Sequence, residues 1–275
     1  MFKRILIATD NSALMPSLAE YTATLFPKAE YHIISVVETT AGLGQMSGGL
    51  REQLEKMSWD AAEKLDGILD KHGIKAKIVV VNGDPSKEIA EYASRMNFGL
   101  LAIGRHASDA MPKIKLGRVC SKTLERISCS ALVIGNPVDA KAPKHILNPT
   151  TDSKYSRAAS RIAIQLASKF NSKLDTIYVG TSAEARGTQA LSFVKSAADS
   201  AGVKYNGIMG GEAPDIDIIE RQKNYDMIIG SRGRTGAAYK FRFFRRRLAL
   251  GKLERITIAA SKIPILLIGE KSPNK

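Results

Sequence analysis

The strongest constraint on the fold is that the chain is written twice. "KRILIATDNS" at residues 3–12 returns as "KHILNPTTDS" at 144–153, and "FGLLAIGRHA" at 98–107 returns as "YDMIIGSRG" at 225–233. The closing stretch "LGRVCSKTLERISCSALVIG" at 116–135 returns as "LGKLERITIAASKIPILLIG" at 250–269. Three blocks repeated in one order define a structural unit that occurs twice. Paired glycine by glycine, Gly104 matches Gly230 and Gly117 matches Gly251, offsets of 126 and 134. On that pairing the second copy carries eight extra residues between its glycines. The first copy is longer earlier on, chiefly in "ETTAGLGQMSGGLREQ".

Within each copy, short β-branched runs alternate with stretches of helical spacing. "RILIAT", "YHIISVV", "KIVVV", "LLAIG" and "SALVIG" read as strands buried on both faces, and "LREQLEKMSWDAAEKLDGILDKHG" reads as an amphipathic helix. This pattern predicts an α/β protein of two tandem doubly wound, Rossmann-like domains, each a five-stranded parallel sheet flanked by helices. The domains are expected at 1–137 and 143–271, with "NPVDAKAPK" as connector. Ligands of such folds bind beyond the carboxyl ends of the strands, so the loops after strands one, two and four of each copy are the candidate sites.

Composition narrows the class. No run approaches the roughly 18–20 apolar residues of a membrane span, and "MFKRILIATD" lacks a signal-peptide core, so a cytoplasmic location is expected. Cys120 and Cys129 have no partners for a metal site or disulfide framework and read as buried thiols. The net charge of +14 favours polyanions without specifying a fold.

With the "TD-S" opening, "NGDPSKEIAEYA" at 82–93, the glycine loop and the closing helix-to-strand segment near Pro264, the chain resembles the universal stress protein family in a tandem form. Nucleotide-binding members of that family carry Gly, two residues, Gly, nine residues, then Gly followed by Ser or Thr. The resemblance implies that the first-strand acid and the end of the second strand hold adenosine while the glycine loop wraps the phosphates. In the first copy this assigns Asp10, Val37, Gly104 and Gly117, with Ala107 and Arg118 departing from the pattern. In the second it assigns Thr151, Asp152, Val179, Gly230, Ser231, Arg232, Gly233, Arg234, Gly251 and Lys252, with seventeen residues in the spacer. Glycine permits close backbone approach to phosphate, which favours the second copy. Arg118 and Lys252 can replace the missing hydroxyl with a charged donor. For Asp10 a helix-capping role stands beside nucleotide contact. His106, without an acidic or cysteine partner, reads as a solvated loop residue.

From Met227 to Leu253 there is no acidic residue, while "YKFRFFRRR" interleaves aromatic and basic side chains. A solvated loop, a lid over phosphates, and a docking patch for nucleic acid or an anionic membrane all fit residues 232–252. No nucleophile elbow, Walker loop or zinc-hydrolase motif is present. The sequence therefore points to an adenine-nucleotide (ATP or AMP, with or without Mg2+) binding regulatory protein in stress response, at most a weak ATPase. The alternative is a nucleotide-free pseudo-dimeric scaffold that docks a polyanion or protein through the basic insertion. The copies are expected to pack through "SALVIG" and "IPILLIG", with a homodimer of chains left open.

Overall fold

A computed structural model describes residues 1–39, 48–105, 116–180, 184–211, 213–232 and 252–270. Gly233, Arg234, Gly251, His106, Ala107 and the aromatic run of the insertion lie outside the described residues.

Each half alternates strand and helix. The first contains β1 (Arg4–Thr9), α1 (Met15–Leu25), β2 (Glu30–Glu38), α2 (Gly48–Asp70), β3 (Ala76–Gly83), α3 (Pro85–Arg95), β4 (Leu100–Gly104), α4 (Arg118–Arg126) and β5 (Ser130–Ile134). The second contains β6 (His145–Thr150), α5 (Lys154–Phe170), β7 (Lys173–Tyr178), α6 (Glu184–Ser200), β8 (Tyr205–Met209), α7 (Pro214–Arg221), β9 (Met227–Ser231), α8 (Lys252–Ala260) and β10 (Ile265–Ile268). The strands form one sheet in the order β3-β2-β1-β4-β5-β10-β9-β6-β7-β8. Every pairing is parallel except the central one, where β5 and β10 run antiparallel with Leu266 opposite Leu132. The two expected five-stranded sheets are thus halves of one, joined through the expected closing strands.

Buried side chains of β1, β4 and β5 alternate between two hydrophobic layers, so the continuous apolar runs of these strands reflect cover on both faces. "KIVVV" departs from its expected double burial because β3 is an outermost strand, and most of its residues are only half-buried. In the second half β6 contains Pro149, which has no N–H to offer a neighbouring strand. The buried amide of Asn148 supplies a donor beside it, giving a hydrogen bond to the Ile229 carbonyl at 2.7 Å while accepting from Ser160 Oγ at 2.6 Å.

The ladder corrects the glycine-by-glycine pairing. Ile5 lies opposite Leu100 and its counterpart Ile146 lies opposite Met227; Gly104 faces Ile134, whereas Ser231 faces Ile268. Gly104 therefore corresponds to Ser231, and Arg105 to Arg232. Eleven residues separate Arg105 from Gly117 and eighteen separate Arg232 from Gly251, so the insertion is seven residues rather than eight. One residue fewer in β9 before the glycine moves every following side chain to the opposite face relative to the sequence alignment.

That shift brings two arginines into the seam. Arg105 is buried, and one of its terminal nitrogens donates to the carbonyls of Ile258, Ala259 and Ser261 at the end of α8 (3.0, 2.9 and 2.6 Å). Arg232, equally buried, donates to Leu124 and Ile127 at the end of α4 (2.9 and 2.6 Å). Each half thus satisfies the orphan carbonyls of the other half's last helix, and the cations lie at the negative ends of the helix dipoles. A Cβ on Gly135 would fall within the Arg105 guanidinium, so the glycine ending "SALVIG" makes room for the clasp.

Arg232→Met should cost about 3 kcal/mol, because charged hydrogen bonds are lost and carbonyls are left buried without donors. Urea unfolding checks it, and a midpoint unchanged from the unmodified protein would contradict the clasp. A second expectation concerns His32, buried between Tyr92 (Nδ1 to Oη, 2.7 Å) and Glu30 (Nε2 to Oε1, 3.0 Å). Burial lowers its pKa more than the Glu30 hydrogen bond raises it. The unfolded chain then binds a proton near pH 6.5 that the folded chain refuses, so stability falls as pH drops below about 6.5. The slope of unfolding free energy between pH 7.5 and 5.5 should be shallower in His32→Asn.

Candidate functional site

The first half holds a cavity of about 530 Å³ at the carboxyl ends of its strands. Four chain segments build it. β1 delivers Asp10 from the turn that follows it, β2 ends in Val36, Val37 and Glu38, β4 ends in Gly104, and Gly117 and Arg118 open α4. Ile89 and Ile103 give it apolar walls. Asp10, Val37, Gly104 and Gly117, all candidates from the sequence, are brought together here.

Local chemistry places each group. Asn11 takes a left-handed conformation (φ 62°), which turns the chain sharply out of β1. Asp10 Oδ1 accepts from the Ser12 N–H at 3.0 Å, forming an Asx turn. The capping reading of Asp10 is corrected: the residue at the cap of α1 is Leu14, and no side chain caps that helix. The Gly117 N–H donates to the Arg105 carbonyl at 3.0 Å, drawing the start of α4 against the end of β4. Gly117 occupies the N-cap of α4 without a side-chain acceptor, so the first-turn N–H groups of that helix carry no side-chain cap. Arg118 reaches across to Glu38 at 2.6 Å. The cavity lining therefore combines two carboxylates, a helix N-terminus and two arginines, Arg118 and the Arg105 whose guanidinium is bonded to carbonyls in the seam. Among the described residues no group of three or more His, Cys, Asp or Glu side chains could hold a metal by itself.

The second half has a smaller counterpart of about 340 Å³, lined by Thr151, Val179, Gly230 and Ser231 from the sequence candidates. Two candidates turn away from it. Asp152 occupies the left-handed position matching Asn11 (φ 60°), and its carboxylate pairs with Arg157 at 2.8 Å. Arg232 lies in the seam, as its position opposite Arg105 requires. Lys252 begins α8. Tyr178, opposite Thr150 in the ladder as Ser35 is opposite Thr9, folds its ring over Gly180 and Gly187.

Glu38 and the hydroxyls of Ser153, Tyr155, Ser156 and Thr257 are functional candidates that the sequence alone did not assign a place at these sites. Arg118 carried a signal, the hydroxyl position of the glycine pattern, whereas Glu38 had none beyond its place at a strand end.

Comparison with known proteins agrees with this geometry. The model of the universal stress protein family matches residues 1–135. Universal stress protein MJ0531 of Methanocaldococcus jannaschii is 25% identical over 143 residues, covering 50% of this chain and 84% of that protein. Universal stress protein YxiE of Bacillus subtilis is 23% identical over 147 residues, 49% of this chain and 99% of that protein. Each of these relatives matches about half of this chain. A solved universal stress protein from Archaeoglobus fulgidus DSM 4304 superposes over 98% of this chain and 97% of its own, with a TM-score of 0.79 and 19% identity, and thus shares the whole architecture. The first half of the chain, residues 1–135, belongs to the universal stress protein family, and the second half repeats its fold. No helix among the described residues is long and apolar enough to cross a membrane.

Cys120 lines the first cavity yet is 3% exposed, and burial pushes its thiol up to about 12. Cys129 is buried as well. The native protein should therefore resist thiol reagents at pH 8, with both sulfurs reacting only on unfolding. Rapid titration of one thiol in the native state would show the cavity floor to be open.

Proposed function

We propose that the chain is an adenine-nucleotide binding regulatory protein built of two tandem units, 1–137 and 143–271, with ATP or AMP held in the first-half cavity. One observation carries the reading: Asp10, Val37, Gly104 and Gly117, far apart in sequence, line a single cavity at the carboxyl ends of parallel strands. The cavity size lies within the range of about 300–1,000 Å³ that small-molecule sites take. Asp10 is placed to accept from a ribose hydroxyl, Ile89 and Ile103 to enclose the base, and the start of α4 with Arg118 to receive phosphate. Mg2+, if it accompanies the nucleotide, would draw on Asp10 or Glu38 together with phosphate oxygens.

This shifts the favoured copy from the second to the first. The extra early glycine of the second copy does not compensate for the loss of an acid at position 151 and the withdrawal of Asp152 and Arg232. Nucleotide would act by binding one conformation of the protein better than another, the only way a ligand shifts an equilibrium. The scaffold alternative rests on residues 233–251, which lie outside the described structure.

Isothermal titration of the nucleotide-stripped full chain with ATP and AMP tests the proposal. Asp10→Ala should weaken binding about tenfold or more, the loss of one charged hydrogen bond. Asp152→Ala should leave it unchanged. Absence of binding by the unmodified protein at millimolar ligand would refute the reading.

A further inference from the structure

An ion pair crosses the first cavity. β2 and β4 are the two neighbours of β1 in the sheet, Glu38 is the last residue of β2, and Arg118 opens the helix that follows β4. A contact between them spans the end of β1, where Asp10 joins the lining, and Arg118 Nη2 donates to Glu38 Oε1 at 2.6 Å. Backbone contacts fix both ends. Glu38 lies opposite Gly83 in the β2–β3 ladder, with the Thr39 N–H donating to the Gly83 carbonyl at 3.3 Å, and Arg118 follows the Gly117 that is bonded to Arg105. Asp84, whose charge also acts on Arg118, is committed to the cap of α3 through the Lys87 N–H.

Stability does not account for the pair. Its side chains are 56% and 42% exposed, and ion pairs so open to water add little to folding. Nor does the fold require an acid at this strand end. Ser35 lies opposite Thr9 and Tyr178 opposite Thr150, and counting on equally from each sets Glu38 against Thr181 in the sequence. What the contact does is fill the anion-binding side of Arg118 with a carboxylate of the protein itself. Arg118 and the first-turn N–H groups of α4 are the parts of this lining suited to phosphate. A phosphate arriving there meets Glu38 both as a rival for the guanidinium and as a like charge. A ribose and a base meet neither.

We infer that Glu38 is a specificity residue that acts by competition: its carboxylate holds Arg118, and phosphate binds only by displacing it. The inference rests on the reading of this cavity as a nucleotide site. Repulsive elements set specificity alongside attractive ones. Affinity for a phosphorylated ligand is reduced by the fraction of molecules in which Arg118 is released, whereas adenosine binds without that loss. Glu38 and Arg118 therefore act in opposite directions on one ligand, although they are partners in one ion pair.

Isothermal titration of the nucleotide-stripped full chain with AMP and with adenosine tests this, in EDTA so that no metal bridges carboxylate and phosphate. Glu38→Gln should tighten AMP about fivefold or more and leave adenosine unchanged, because a like charge beside the phosphate is gone. Arg118→Gln should weaken AMP about fivefold or more, again with adenosine unchanged. Both variants should melt with the unmodified protein, as expected of an exposed pair. A pair that merely braced the site would shift AMP affinity the same way from either end. Weaker AMP binding in both variants, AMP binding unchanged in Glu38→Gln, or an equal gain for adenosine would each overturn the inference and leave the nucleotide reading standing. Absence of AMP binding by all three proteins would overturn both.

Discussion

The antiparallel pairing of β5 with β10 is the contact on which the rest of the molecule depends. It converts two parallel half-sheets into one and covers what would otherwise be two exposed apolar edges, the feature of a sheet most prone to uncontrolled association. Because the pairing relates the halves by an approximate two-fold axis, whatever one half offers across the seam the other returns. The arginine clasp is the consequence: Arg105 and Arg232 leave equivalent strands, cross the seam and end on equivalent helices.

The clasp also limits what each cavity can offer a ligand. An arginine directly follows β4 and β9 at the carboxyl ends where the cavities lie, yet both are committed to carbonyls in the seam. The first cavity retains a cation because Arg118 comes from the start of α4. In the second, the equivalent helix opens with Lys252 after a longer connection, and the described lining is neutral.

Much of this was legible in the chain. β1, β4 and β5 match their apolar runs residue for residue or nearly so, because buried parallel strands need continuous β-branched and aliphatic side chains. The grouping of Asp10, Val37, Gly104 and Gly117 was equally readable, since the ligand crevice of such a sheet lies at the strand ends. The assignment of Arg232 to a phosphate loop failed for a physical reason: matching glycines concealed a one-residue difference in β9, and strand register alone decides which face a side chain takes. Asp152 was misplaced similarly, because only backbone geometry distinguishes the residue entering the cavity from its left-handed neighbour.

The sequence by itself determined the repeat, the alternation of strand and helix, and the position of the candidate sites, all of which follow from local periodicity and from the geometry of parallel sheets. Only the tertiary structure decided which arginine opens on a cavity and which cross the seam, which half keeps an acid in its cavity lining, and how much volume each cavity has. Those outcomes depend on strand register and on packing across the seam, which bring together residues more than a hundred positions apart in the chain.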